Sequence, residues 1–144
     1  MSESRFYLRV AEDFLTQARK ALNLGITSLS ALSLVLAVKN SALSIISCFK
    51  PPLVMEDVVI ELKFLNEEHL SAFENLRQRL EEFTEISQYI IYTYLNVLMH
   101  GDFAAGKTPS EVLSLEELSD LVEISEKAVR IAEWLIEVLH CSQQ

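Results

Sequence analysis

The chain has 144 residues, half of them hydrophobic and 23% charged, with only three glycines and three prolines. That length makes one ordinary domain, and so few turn-formers exclude collagen-like repeats, a disordered chain and a turn-dense β-sandwich or barrel. Twelve basic against 21 acidic residues leave a formal charge of −9, a mean field that repels phosphate backbones and anionic lipid and speaks against a nonspecific polyanion binder.

The first element is a helix over residues 4–24, where Tyr7, Ala11, Phe14, Ala18 and Ala21 repeat at helical spacing beside Leu8, Leu15 and Leu22. Gly25 suits a left-handed helix terminus, and Thr27 or Ser28 offers an oxygen to cap the next helix. That second helix is expected over residues 28–48, stopped by Pro51 and Pro52. It is the one membrane-like stretch, but Lys39 near its middle would cost about 3 kcal/mol in a bilayer. Ser30, Ser33, Ala37, Ser41, Ser44 and Ser47 form a narrow small-residue face, so a buried core helix is expected rather than a membrane span. The N-terminus lacks the basic start and unbroken apolar run of a signal peptide. A cytoplasmic location with no membrane partner is the expectation, and Cys48 and Cys141, far apart in sequence, read as structural thiols of a reducing compartment.

Residues 53–66 fit either a strand or a helix. No second convincing strand exists to pair with it, so a short helix is expected. A long helix follows over residues 69–100, without Gly or Pro, and at about 1.5 Å per residue it approaches 50 Å. Its second half, residues 89–99, is apolar nearly all round, which predicts the centre of the core near Ile90 to Leu98. Residues 101–108 read as a linker. Thr108, Pro109 and Glu111 then form a capping signature that Ser114 and Glu117 repeat before a last helix over residues 115–139. The fold class is therefore all-α: an antiparallel up-and-down four-helix bundle with one additional short helix, in a single domain over residues 1–144.

The linker carries the string Gly101-Asp102-Phe103-Ala104-Ala105-Gly106-Lys107-Thr108, which matches the G-x-x-x-x-G-K-[ST] phosphate loop. That loop functions between a buried strand and a helix. Here it follows the longest helix of the chain, and Pro109 disfavours helical geometry at Thr108. A glycine-punctuated connector is the expected reading. His69, His100 and His140 lack a second ligand at helical spacing, so no metal and no cofactor is expected. Tyr92, Asn96 and His100 follow at steps of four and make a polar stripe on an apolar helix. With Asp102 and Lys107 nearby in sequence, they are the candidate ligand-binding residues, and Asn96 and His100 the candidate catalytic ones.

The segment from Ala11 to Gly25, A-E-D-F-L-T-Q-A-R-K-A-L-N-L-G, resembles the first helix of HEPN-domain proteins, small prokaryotic helical bundles. Residues 94–103, Y-L-N-V-L-M-H-G-D-F, are similar to the family's R-N-x-x-x-H segment and the turn after it, and the final helix with Glu126, Ala128, Ile131, Ala132 and Trp134 also fits. The resemblance implies a two-fold homodimer, often belonging to a toxin–antitoxin or nucleotidyltransferase system. Active relatives cleave RNA with an Arg and a His four to six residues apart. Asn96 and His100 match that element, but Thr93, Tyr94 and Leu95 stand where the Arg would be, and Asp102 stands where some relatives carry a Tyr. Arg77 and Arg79 lie roughly 30 Å away along the helix. The expected function is a noncatalytic dimeric interaction module, or one that binds nucleotide or RNA. The alternatives are a weak metal-independent ribonuclease using His100, with Lys107 as its cation, and a structural subunit of a hetero-complex, with a nucleotidyltransferase as the partner that the resemblance implies.

Overall fold

The computed structural model describes residues 2–52 and 57–143, with side chains to residue 140. Among the described residues six helices follow in order: α1 Glu3–Asn23, α2 Thr27–Ile46, α3 Val58–His69, α4 Glu74–His100, α5 Pro109–Val112 and α6 Leu115–Gln143. The protein is all-α: among the described residues there is no strand, only an isolated antiparallel bridge between Asp102 and Lys107.

The Ser2 side chain accepts the Arg5 amide at 3.3 Å to open α1, whose buried stripe is Leu8, Ala11, Leu15, Ala18 and Ala21. The chain reverses at Gly25, where φ is +74°, as its sequence position implies. The expected caps on α2 are not used. Thr27 is already helical, Ile26 is the N-cap without a side-chain bond, and the Ser28 hydroxyl lies 2.7 Å from that of Ser110. The helix also ends at Ile46, two residues before the expected limit.

Small residues let α1 and α2 approach closely. Ala11, Ala18 and Ala21 face Ser30 and its neighbours, and the Ser30 hydroxyl donates across to the Ala18 carbonyl at 2.9 Å. Ser41 and Ser44 turn their hydroxyls onto carbonyls of α2 itself, at 2.9 and 2.5 Å, so these three buried hydroxyls are satisfied. By length and hydropathy α2 could cross a membrane, but 72% of its most apolar window is buried inside this fold. It packs as the central helix, touching α1, α4 and α6.

Pairs across the packed helices fix their directions. On α1 and α6, Ser4 meets His140, Glu12 meets Arg130 and Arg19 meets Glu126. On α4 and α6, Trp134 meets Arg79, Lys127 meets Glu82, and Glu117 meets Tyr94. Rising numbers on one helix meet falling numbers on the other, so both pairs are antiparallel. With the tight turn between α1 and α2, the four long helices alternate in direction.

Two expectations are corrected on α4. The long helix expected over residues 69–100 starts later: α3 runs on to His69, past its expected end at residue 66, and α4 starts at Glu74 with Phe73 as an unassisted N-cap. Leu70 turns inward to be 3% exposed, and Asn66 donates to the Arg77 carbonyl at 3.4 Å, holding the corner. No Gly or Pro marks this bend. His69 accordingly closes α3 rather than opening α4, and its ring stacks on Phe49 with centroids 5.1 Å apart. Residues 53–56, the first part of the expected short helix, lie outside the described residues; the remainder is α3, opened by the Asp57 carboxylate, which accepts the Val59 amide at 2.9 Å.

The second correction concerns the core. Leu80, Phe83 and Ile90 are fully buried, whereas Leu95 is 40% and Met99 65% exposed, and Val97 and Leu98 are half-buried. The core therefore centres on the first half and middle of α4. The reason is overhang: α6 begins opposite Tyr94, so beyond that point only the four-residue α5 and the following loop accompany α4 on that side. At the far end, the His140 Nε2 lies 2.9 Å from the Ser4 hydroxyl. Cys48 is a half-buried thiol that donates to the Ser44 carbonyl at 3.6 Å and whose pKa burial raises; the side chain of Cys141 lies outside the described residues.

Candidate functional site

The end of α4 and the loop after it hold the residues singled out from the sequence. Gly101 leaves the helix with φ +64°, and a Cβ there would stand 2.3 Å from the Lys107 carbonyl oxygen, so only glycine permits the approach. Asp102 and Lys107 then exchange backbone hydrogen bonds at 2.8 and 2.9 Å, the Gly106 amide donates to the Phe103 carbonyl at 3.1 Å, and the Asp102 carboxylate accepts the Ala105 amide at 3.1 Å. The result is a closed six-residue loop. Its amides at 102, 105, 106 and 107 are all spent on the loop's own acceptors, which is the opposite of a phosphate cradle, where amides must point outward. Thr108 is extended, with φ −71° and ψ 164°, and its hydroxyl donates to Glu111 at 2.8 Å. The G-x-x-x-x-G-K-T string is thus a connector. At its tip Phe103 is 99% exposed.

The polar stripe on α4 is real but not convergent. Tyr92, Asn96 and His100 all lie on the exposed surface. The Tyr92 hydroxyl donates to Asp57 Oδ2 at 2.6 Å, while Asp57 Oδ1 caps α3. Removal from water, reinforced by this anionic acceptor, pushes the Tyr92 phenol up to about 12, so it is a neutral donor at physiological pH. Among the described residues no side-chain hydrogen bond or ion pair engages Asn96, His100 or Lys107, and the Asp102 carboxylate serves the loop. His100 therefore lacks a positioned cation or base, the pairing on which acid–base chemistry at an imidazole depends.

Tyr94 behaves differently from Tyr92. It is buried, its ring meets that of Tyr89 edge-on at 6.0 Å, and its hydroxyl donates to Glu117 on α6. Burial and that carboxylate push its phenol above the ordinary value. It ties α4 to α6.

Sequence reasoning missed a groove of about 340 Å³ between α2, the start of α3 and α4. Leu32, Val35, Ile91 and Leu95 wall it, and Lys39 together with the Asp57–Tyr92 pair line it as well. Lys39 is half-buried and makes no ion pair among the described residues. Asp57 immediately before an apolar run is a recognisable cap, but its contact with Tyr92 spans 35 positions in sequence, beyond the reach of local pattern. Leu29 and Leu32 of α2 and Leu95 and Met99 of α4 are exposed around this groove, forming an apolar face at the overhanging end of the bundle.

Elsewhere the basic residues carry carboxylates. Arg19 pairs with Glu126 at 2.5 Å, Lys127 with Glu82 at 2.7 Å and Arg130 with Glu133 at 2.5 Å. The hydrogen bond from Lys127 holds the Glu82 carboxyl below its usual range. These pairs compensate the cations rather than gathering them into a patch. No cluster of three or more His, Cys, Asp or Glu side chains able to hold a metal ion occurs among the described residues. Compared with protein-family models, with curated proteins and with solved structures, the chain has no match.

Proposed function

We propose that this chain is a noncatalytic, HEPN-like helical module that works by association, pairing with a second copy through the apolar face of α2 and the end of α4. One observation carries the reading. The second half of α4, the most uniformly apolar stretch after α2, is left exposed at Leu95 and Met99 beside Leu29 and Leu32, and adjoining exposed apolar residues at this density mark association surfaces. Support for absence of catalysis comes from the lone His100: no arginine stands at 93–95, and Lys107 belongs to a loop closed on itself. A nucleotidyltransferase subunit remains the heteropartner that the family resemblance implies.

Sedimentation velocity over a range of concentrations tests the pairing. The expected result is a reversible dimer that Leu95→Arg converts to a folded monomer; a wild-type chain monomeric throughout overturns it. Incubation with structured and unstructured RNA tests the chemistry. No cleavage is expected, and cleavage that disappears in His100→Ala would establish the ribonuclease reading instead.

A further inference from the structure

We infer that Phe103 is the anchor of that association, seated in the α2–α4 groove of a second copy with Asp102 beside its Lys39. This rests on the pairing proposed above and specifies how it is made.

An aromatic side chain that is 99% exposed is costly to leave in water, and the loop under it is held by four internal hydrogen bonds. The backbone carrying Phe103 is therefore already ordered before any contact forms, and preorganisation of this kind removes much of the entropic cost of association. Rigid aromatic anchors entering apolar pockets are the usual centres of protein interfaces.

The same chain carries the matching receptor. The groove offers about 340 Å³ between Leu32, Val35, Ile91 and Leu95, enough for a phenyl ring. The polar groups correspond too. The Asp102 carboxylate spends one oxygen on the Ala105 amide at 3.1 Å, and its second oxygen has no partner among the described residues. Lys39, at the groove, is a cation with no carboxylate of its own among those residues. An acid next to an aromatic on the loop thus faces a cation next to apolar walls, while the groove's own carboxylate, Asp57, is occupied by the Tyr92 hydroxyl and the Val59 amide.

Helix arithmetic allows both contacts in one symmetric dimer. If two α4 helices cross antiparallel about a two-fold axis near Val97, His100, the last helical residue of one copy, lies level with Tyr94 of the other, so the loop that starts at Gly101 has about one turn, roughly 4.5 Å, to cover before Phe103 reaches Ile91. Ile91 is a groove wall. The contact is isologous, made twice, and closes without leaving a free end for polymerisation. It also brings the two Asn96–His100 stripes against each other.

The test is sedimentation velocity or light scattering on the full chain, with circular dichroism as the check on folding. Because Phe103 is exposed, Phe103→Ala is expected to keep the wild-type melting curve while raising the dimer Kd at least tenfold. Lys39→Met and Asp102→Asn, the latter keeping the oxygen that accepts the Ala105 amide, are each expected to raise Kd several-fold, and the double variant to be no weaker than the worse single one, as coupled partners require. A dimer that Leu95→Arg abolishes but Phe103→Ala leaves unchanged overturns this inference while the pairing itself stands. A wild-type chain that never dimerises overturns both. Fully additive effects of Lys39→Met and Asp102→Asn overturn the charge contact.

Discussion

The two halves of α4 are continuous helix, yet they meet different surroundings. In the first half Leu80, Phe83 and Ser87 are buried against the rest of the fold, while Arg79 and Glu82 on the outer side join Trp134 and Lys127 of α6. In the second half the outer side carries apolar residues beside the Tyr92–Asn96–His100 stripe, and Leu95 and Met99 lie bare. Apolar character therefore reports burial in the first half and an unfilled surface in the second. What separates them is the starting point of α6, opposite Tyr94: a helix flanked by two long neighbours sorts its residues into in and out, and one that overhangs its neighbour does not have to.

Substitutions should expose that difference. Phe83→Ala removes a fully buried ring and is expected to cost about 3–5 kcal/mol of folding stability in a urea titration, against no more than about 0.5 kcal/mol for Leu95→Ala in the monomer. Equal losses would mean that the second half is core after all.

A smaller effect belongs to Tyr94, the inward residue of the second half. Tyr94→Phe is expected to cost about 1 kcal/mol through its lost hydrogen bond. Because the folded-state phenol lies above the ordinary 10.0, the folded chain holds that proton more tightly than the unfolded one. Its contribution is complete below pH 10 and declines as pH rises past it. Urea titrations at about pH 8 and about pH 11 should therefore show a steeper alkaline loss in the wild type than in Tyr94→Phe; parallel losses would remove Tyr94 as the cause. An effect of similar size has the opposite sign. Ser125 is fully buried, and its hydroxyl has no partner among the described residues, so Ser125→Ala should raise stability by about 1 kcal/mol, read from the same titration.

Much of the architecture could be read from the residues. Gly25, the small-residue face of α2, the double prolines and Ser114 before Glu117 all do locally what their chemistry implies; the Ser114 hydroxyl accepts the Glu117 amide at 3.1 Å. The break between α3 and α4 lies at residues 70–73 rather than at the expected 67–68, a shift that escaped because nothing in residues 70–73 forbids a helix. It forms where Leu70 is drawn into the core, a tertiary effect with no local mark. Exposure at Leu95 escaped for a related reason: periodicity distinguishes apolar from polar, but not a residue covered by its own chain from one that a partner would cover. Within the candidate site, the glycine-flanked loop was legible as a connector, while the groove needed three helices to be assembled first. Asn96, His100 and Lys107 share a neighbourhood in sequence, but the loop's hydrogen bonds are internal and leave these side chains without a common task.

The central position of α2 bears on how the chain is made. This rod is greasy enough to be mistaken for a bilayer segment, and of the helices that cover it α1 precedes it along the chain while α4 and α6 follow. At about 5–20 residues per second the remaining chain takes several seconds to emerge. Until then one flank of α2 stays without its own cover.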